Sequence, residues 1–392
     1  MGDFLLVFSA VVSGWLLGRH LRLRRTGNQG YRRYYRGLNH LLNEQTDETI
    51  DLFIDSLDVN SDTLETHLAV GNLMRRKGEV ERAIRIHQNL LSRPNLNAEQ
   101  QHQAHLELAR DFVSAGLLDR AERLLLDLVN QSSSLRDVSL RQLMEIYQDE
   151  REWQRAIEVG RSLLPRRGRL LPGTSHEQLN AALGHYHCEL AEQALERGSL
   201  QRARALIKQA LQHDRQGIRA SLLAAEVELR AGQTRQALRQ LRRIPEQDPA
   251  MVPEMIDQLR DCYRQMEDPE GYLRSLKALL EDHPSTRLLL AVAGELRDRQ
   301  GDESAMEFLQ QRLTQRPTLR GLSCLLSWVL ERQSNSERER LALLDELLRQ
   351  LLQDKPNYQC QQCGFTARRL HWLCPGCKQW NTIKPIRGLE GD

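Results

Sequence analysis

Lys77–Leu91 reads KGEVERAIRIHQNLL, and its phrase returns as AGLLDRAERLLLDLV (Ala115–Val129), RGSLQRARALIKQAL (Arg197–Leu211) and AGQTRQALRQLRRI (Ala231–Ile244). Each copy has a glycine in its second place, crosses a short polar stretch and reaches an alanine that opens an amphipathic run. Those alanines are Ala83, Ala121, Ala203 and Ala237, with Ala156 and Ala305 standing in the same place in weaker copies. Ala83 to Ala121 spans 38 positions, Ala121 to Ala156 spans 35 and Ala203 to Ala237 spans 34. A glycine turn and an amphipathic helix, repeated at that spacing, specify a stack of helix–turn–helix units. Working outward, residues 34–353 keep helical spacing with almost no strand signal, so they are read as one all-α repeat array.

Position by position the array resembles the tetratricopeptide repeat family. Twelve residues before the alanine that pattern wants a small residue, and the chain offers Gly37 (ahead of Thr49), Gly71, Ala109, Ala191, Ala225 and Ala293, with Met144 departing from it. Small residues let the two helices of a unit approach closely. Pro94, Pro165, Pro249, Pro284 and Pro317 fall where second helices should close, since proline cannot continue a helix past its first turn. The resemblance implies a superhelix of about eight units plus a terminal helix pair, the seventh unit (around Tyr272 and Leu273) being degenerate. Ala156 to Ala203 spans 47 positions, so the stretch from Pro165 to His176 is read as an insertion or joint. One unit buries too little apolar surface to fold alone, and stacking supplies the rest. First-helix side chains should line a concave groove, which family analogy makes a protein-recognition surface with no partner-contact residue assigned. His40, His67, His87, His102, His105, His185 and His187 scatter over different units and are read as packing residues rather than metal ligands.

The N-terminal stretch reads FLLVFSAVVSGWLLG from Phe4 to Gly18, fifteen residues without a charge. Leu21 and Leu23 extend it toward the ~20 apolar residues that a membrane span needs, while Arg19 and Arg22 snorkel. Only Asp3 precedes the run, whereas Arg19, Arg22, Arg24, Arg25, Arg32, Arg33 and Arg36 follow it. That asymmetry opposes a cleaved signal peptide and places the flank in the cytoplasm. Residues 1–25 are therefore expected to be a single-pass transmembrane helix with its basic flank. Cys188, Cys262 and Cys324, scattered singly along the helices, suit the same reducing compartment.

The remaining four cysteines crowd into YQCQQCGFTARRLHWLCPGCKQW, Tyr358–Trp380. Cys360, Cys363, Cys374 and Cys377 form two C-x2-C knuckles, each able to chelate with two thiolates, and together they make a closed tetrahedral set of four sulfurs. Gly364 and Gly376 are expected to supply the positive φ of the knuckle turns. Residues 356–392 are thus read as a small metal-binding domain holding one Zn2+. The spacing and the aromatics Tyr358, Phe365, Trp372 and Trp380 also resemble rubredoxin, which would make iron, and an electron carrier, the alternative. Phe365, Trp372 and Trp380 are expected to dock on neighbouring helices. Arg368, Arg369, Lys378, Lys384 and Arg387 give a basic rim that fits a docking patch on acidic array residues, a solvated face, or a zinc-ribbon RNA-binding regulator.

Lys+Arg 55 against Asp+Glu 53 leaves a net charge of +2, which argues against a dedicated nucleic-acid binder. No glycine-rich phosphate loop, Gly-x-Ser-x-Gly elbow or His-Glu-x-x-His is present, so the chain is not read as an enzyme. Anchor, repeat array and rubredoxin-like knuckles in this order, with CGFTARRLHWLCPGC and the tail WNTIKPIRGLEGD, are similar to the lipopolysaccharide assembly protein B family of Gram-negative bacteria. The resemblance implies an inner-membrane adaptor that restrains lipopolysaccharide synthesis. It would present the lipid A-committing UDP-acylglucosamine deacetylase to a membrane-bound AAA+ protease (FtsH type), alongside other lipopolysaccharide-assembly membrane proteins. The family's metal ligands map onto Cys360, Cys363, Cys374 and Cys377.

Overall fold

The computed structural model describes residues 64–94, 96–164, 174–332 and 335–389. The expected anchor (1–25) and the first repeat unit around Gly37 lie outside the described residues. So do positions 165–173 of the expected insertion, whose last residues, Thr174 to His176, are already helical. Among the described residues no helix is long and apolar enough to cross a membrane.

Helices follow one another in sequence pairs. These are α1 (Leu64–Arg76) and α2 (Val80–Leu91), α3 (Ala98–Ser114) and α4 (Leu118–Gln131), α5 (Arg136–Asp149) and α6 (Trp153–Leu163), α7 (Thr174–Glu196) and α8 (Leu200–His213), α9 (Ile218–Arg230) and α10 (Thr234–Leu241). After a short α11 (Ile244–Gln247) and a 3-10 segment (Pro249–Met255) come α12 (Ile256–Gln265) and α13 (Pro269–Asp282), α14 (Thr286–Gln300) and α15 (Asp302–Gln315), and α16 (Leu319–Arg332) and α17 (Asn335–Gln353). The chain divides into two compact units, one ending at Ile146 and the other running from Tyr147 to the C-terminus. The fold is that of tetratricopeptide repeats with a small ribbon at the C-terminal end.

Ala83, Ala121, Ala156, Ala203, Ala237 and Ala305 are all fully buried, as are Ala109, Ala191, Ala225 and Ala293. A larger side chain at these points would have to push two helices apart. In the second unit the core runs from α9 to α15 through Leu229, Leu241, Met251, Leu276, Val292 and Leu309. The expectation of simple pairs misses the 3-10 segment. Pro249 and Pro253 deny it α-helical hydrogen bonds, and Asp248 caps it by accepting from the Ala250 N–H at 2.9 Å. Met251, Val252, Pro253 and Met255 plug it into the core.

The turn inside each pair explains the recurring glycine. Gly78, Gly116, Gly198, Gly232 and Gly301 have φ between +71° and +89°. At Gly116, for example, that conformation lets its N–H reach Val113 O (3.0 Å) and the Leu117 N–H reach Phe112 O (2.8 Å), satisfying carbonyls left over at the helix end. Arg151 (φ 60°) and Glu267 (φ 55°) hold the same position without glycine, and keep the same bonds, Glu152 N–H to Tyr147 O and Asp268 N–H to Tyr263 O. A side chain there costs about 1 kcal/mol. Arg151→Gly and Glu267→Gly are each expected to stabilise the chain by roughly 0.5–1 kcal/mol. A thermal or urea midpoint that falls in both variants would show that the side chains hold these turns.

The ribbon is a three-stranded antiparallel sheet in the order β2–β1–β3, with β1 Tyr358–Cys360, β2 Thr366–Ala367 and β3 Ile383–Pro385. Tyr358 pairs with Ala367 on one side and Pro385 on the other, and Cys360 with Ile383.

Candidate metal centre

Each knuckle follows the same backbone path. The Gly364 N–H donates to Cys360 O at 3.0 Å, and the Lys378 N–H donates to Cys374 O at 2.9 Å. Gly364 has the expected positive φ of +77°. In the second knuckle, however, the left-handed residue is Lys378 (φ 54°), not Gly376. Gly376 is needed for a different reason: a Cβ there would stand 3.2 Å from Cys363 Sγ, because the two knuckles close on each other at this point. Gly376→Ala is therefore expected to weaken metal binding on the order of tenfold while the repeat helices stay folded. Wild-type affinity in a chelator competition would show that the sulfurs yield freely.

The structure brings all four predicted cysteines together. Their sulfurs lie within 4.8 Å of one another, with Cys360–Cys377 at 3.7 Å and Cys363–Cys374 at 3.6 Å. Tetrahedral bonds of ~2.3 Å to one ion put sulfurs ~3.8 Å apart, so the cage fits a single metal held by four thiolates. Cys360 and Cys374 are buried and Cys363 is exposed, which leaves one edge open to solvent.

Polar neighbours favour ionised sulfur at one corner. Burial pushes the Cys360 thiol up, but the Thr382 hydroxyl and the Cys363 and Gln362 amides outweigh it and bring the thiol down to about 6. The Thr382 oxygen is 3.3 Å and the Gln362 nitrogen 3.4 Å from Cys360 Sγ. The Phe365 amide pulls Cys363 down, but desolvation and the neighbouring thiols win and push it up to about 11. Metal binding must displace the protons of Cys363 and Cys377, whose thiols are pushed up, so affinity is expected to rise with pH. Below about 6 a further proton competes at Cys360.

The ribbon is seated mainly on first-helix side chains of the second unit, with Trp153 of α6 beside them. The Trp380 indole stacks on His185 (centroids 4.4 Å, 13°) and meets Tyr186 and Trp153 edge-on at 6.0 and 6.3 Å. Its Nε1 donates to Gln148 Oε1 at 2.8 Å. Trp372 packs beside His185 and under Arg219 at 6.1 and 6.0 Å. Arg219 is 4% exposed and pairs with Glu189 and Glu192, each at 2.8 Å. Phe365 departs from expectation: it faces His371 and packs on the ribbon's own core.

Part of the basic rim meets carboxylates. Lys378 pairs with Asp149 (2.5 Å), Lys384 with Asp248 (2.6 Å) and Arg368 with Asp354 (3.2 Å). The Tyr358 hydroxyl donates to Glu254 Oε1 at 2.8 Å, and the Arg287 guanidinium reaches the same oxygen at 2.6 Å. Of the docking reading, the solvated face and the nucleic-acid patch, these pairs match the first. His67, His87, His185 and His187 are all buried, as packing residues should be, but His185 is also the main stacking partner of the ribbon. No motif marked it, because its role depends on a tryptophan nearly two hundred residues away.

Similarity to known proteins runs along the whole chain. Residues 358–385 match the family described as rubredoxin metal binding domain, and residues 194–255 match the tetratricopeptide repeat family. The lipopolysaccharide assembly protein B of Escherichia coli K12 is 36% identical over 395 residues, which cover 99% of this chain and 98% of the relative. Its counterpart from Haemophilus influenzae is 32% identical over 399 residues, at the same coverage. Among solved structures, a tetratricopeptide repeat protein from Parabacteroides merdae aligns at 13% identity and a TM-score of 0.35, covering 73% of this chain and 100% of that one.

Proposed function

The chain belongs to the lipopolysaccharide assembly protein B family, and from that membership we propose that it is an inner-membrane adaptor that sets the amount of lipid A precursor by handing the committing UDP-acylglucosamine deacetylase to a membrane-bound AAA+ protease. Its place is in lipopolysaccharide assembly, and it is a repeat scaffold with a four-cysteine ribbon.

The observation that carries the adaptor reading is the ribbon seated on the second unit, through Trp380 and Lys378 on first-helix residues and through Lys384 on Asp248. Such seating gives a scaffold a fixed shape on which partners can be positioned. The closed sulfur cage supports a structural role for the ion, and Zn2+ is the ion we assign, having no redox chemistry to contribute. Residues 1–25 supply the membrane anchor in this reading, with the bulk of the chain on the cytoplasmic side. Confinement of adaptor and protease to one surface raises their effective concentration.

The test is a chase of deacetylase lifetime after protein synthesis is blocked, in wild-type and depleted cells. Depletion should lengthen the lifetime and raise lipopolysaccharide while the deacetylase transcript stays level. An unchanged lifetime would sink the adaptor reading.

A further inference from the structure

β1, β2 and β3 contribute three, two and three residues. The ribbon's buried core is Tyr358, Cys360, Cys374 and Ile383, so half of it consists of metal-site sulfurs. Without an ion Tyr358 and Ile383 would be left, with the half-buried Phe365 and Leu370 packed on them, too small a core to hold the fold. Both docking tryptophans hang from the second knuckle. Leu373 and Trp380 bridge antiparallel, the Cys374 N–H donates to Gln379 O at 3.0 Å, and the Asn381 N–H donates to Trp372 O at 3.0 Å. The backbone that aims Trp372 and Trp380 is thus the backbone that carries Cys374 and Cys377.

The receiving face is prepared for them. Gln148 Oε1 accepts from Tyr186 Oη at 3.0 Å as well as from the Trp380 indole. Burial first, and then the charge of Arg219, lowers the His185 pKa to about 3, so a neutral ring meets Trp380.

We infer that seating of the ribbon on Gln148, Asp149 and His185 and occupancy of the four sulfurs form one linked equilibrium, so that the repeat array is part of the metal site's support. None of these three residues belongs to the sulfur cluster. Their influence runs through Lys378 and Trp380 into the knuckle. Linkage makes the effect reciprocal: the factor by which docking tightens metal binding is the factor by which metal tightens docking. Loss of the ion would then uncover the first-helix face of the second unit, and the repeats would sense the state of the cysteines.

The full chain is titrated with Zn2+ against a chromophoric chelator, as wild type and as Gln148→Ala/Asp149→Asn, with His185→Ala as a separate variant. The double variant should bind Zn2+ on the order of tenfold more weakly, with helical circular dichroism unchanged. In the reciprocal arm, chelation of the wild type should raise backbone hydrogen exchange across His185–Glu192, with Leu118–Gln131 as the internal reference. Wild-type affinity in variants whose face has opened would overturn the inference, and so would a face that stays protected after chelation. If the double variant leaves exchange unchanged, Trp380→Ala removes the stack itself, and unchanged exchange and affinity there would also overturn it. These readouts come from the purified chain, so the adaptor reading stands or falls separately.

Discussion

Cys374→Ser is expected to yield a chain with almost no bound metal, an unfolded ribbon and a repeat array whose helices are intact. Cys374 is fully buried and shares the ribbon core with Tyr358, Cys360 and Ile383, against which Phe365, Leu370 and Cys377 pack half-buried. Burying one tyrosine and one isoleucine, with a phenylalanine and a leucine half-buried beside them, contributes several kcal/mol, whereas a structural zinc contributes about 10–16 kcal/mol of apparent folding free energy. The ion therefore decides whether this segment folds. Serine offers no thiolate, and the remaining three sulfurs leave the cage open. Elemental analysis should fall from about one metal per chain to near zero. Proteolysis should gain a cut between Gln353 and Tyr358, and tryptophan emission should shift red as Trp372 and Trp380 leave His185 and Arg219. Full metal content together with protease resistance would mean that Cys374 is not a ligand. In cells the same variant should extend deacetylase lifetime toward that of the depleted strain. A normal lifetime in a metal-free variant would keep the adaptor and demote the ribbon to an accessory.

The period of the repeats and the spacing of the cysteines were legible because each is a local pattern with one physical solution. An alanine that recurs beside a glycine turn has to be a helix crossing, and all six anchoring alanines are fully buried. Two C-x2-C pairs have to converge, and their sulfurs do. Features that depend on distant pairings could not be read in the same way. Gln148, Asp149 and Asp248 look like ordinary surface residues until Trp380, Lys378 and Lys384 are placed over them. Arg219 reads as one more helix-surface arginine, yet it is buried between two glutamates and two tryptophans. Gly376 looks like a turn glycine and proves to be a spacer between knuckles. One clue was available for the first unit. Gly71 stands where four later units have alanine (Ala109, Ala191, Ala225 and Ala293), because a Cβ there would lie 2.4 Å from the His87 ring.

That ring belongs to a buried charge network, and breaking it should have the largest effect on the repeats. His87 and Asp111 have fully buried side chains, and His87 Nδ1 lies 2.5 Å from Asp111 Oδ2. The Arg75 guanidinium reaches the other oxygen of Asp111 at 2.6 Å and Glu107 Oε2 at 2.8 Å, and also donates to Asn72 Oδ1 at 2.6 Å. Arg110 supports Glu107 from the exposed side at 2.6 Å. Arg75 is thus the one cation among these contacts that bridges both buried carboxylates. Arg75→Met retains most of the apolar stem and removes only the guanidinium, which leaves Asp111 away from water with His87 as its remaining listener among these groups. Removing one partner from such a pair costs about 3–5 kcal/mol, far more than the pair's net contribution, because the orphaned charge stays buried. A triple change, Arg75→Met with Asp111→Leu and His87→Leu, removes the orphan along with its partners and should recover a large part of that loss. Urea unfolding of the single and triple variants measures both steps. A single variant within about 1 kcal/mol of wild type would place the network in the class of solvated surface pairs. A triple variant worse than the single would show that the network is needed for packing as well as for charge balance, with Gly71 leaving a void where the imidazole had been.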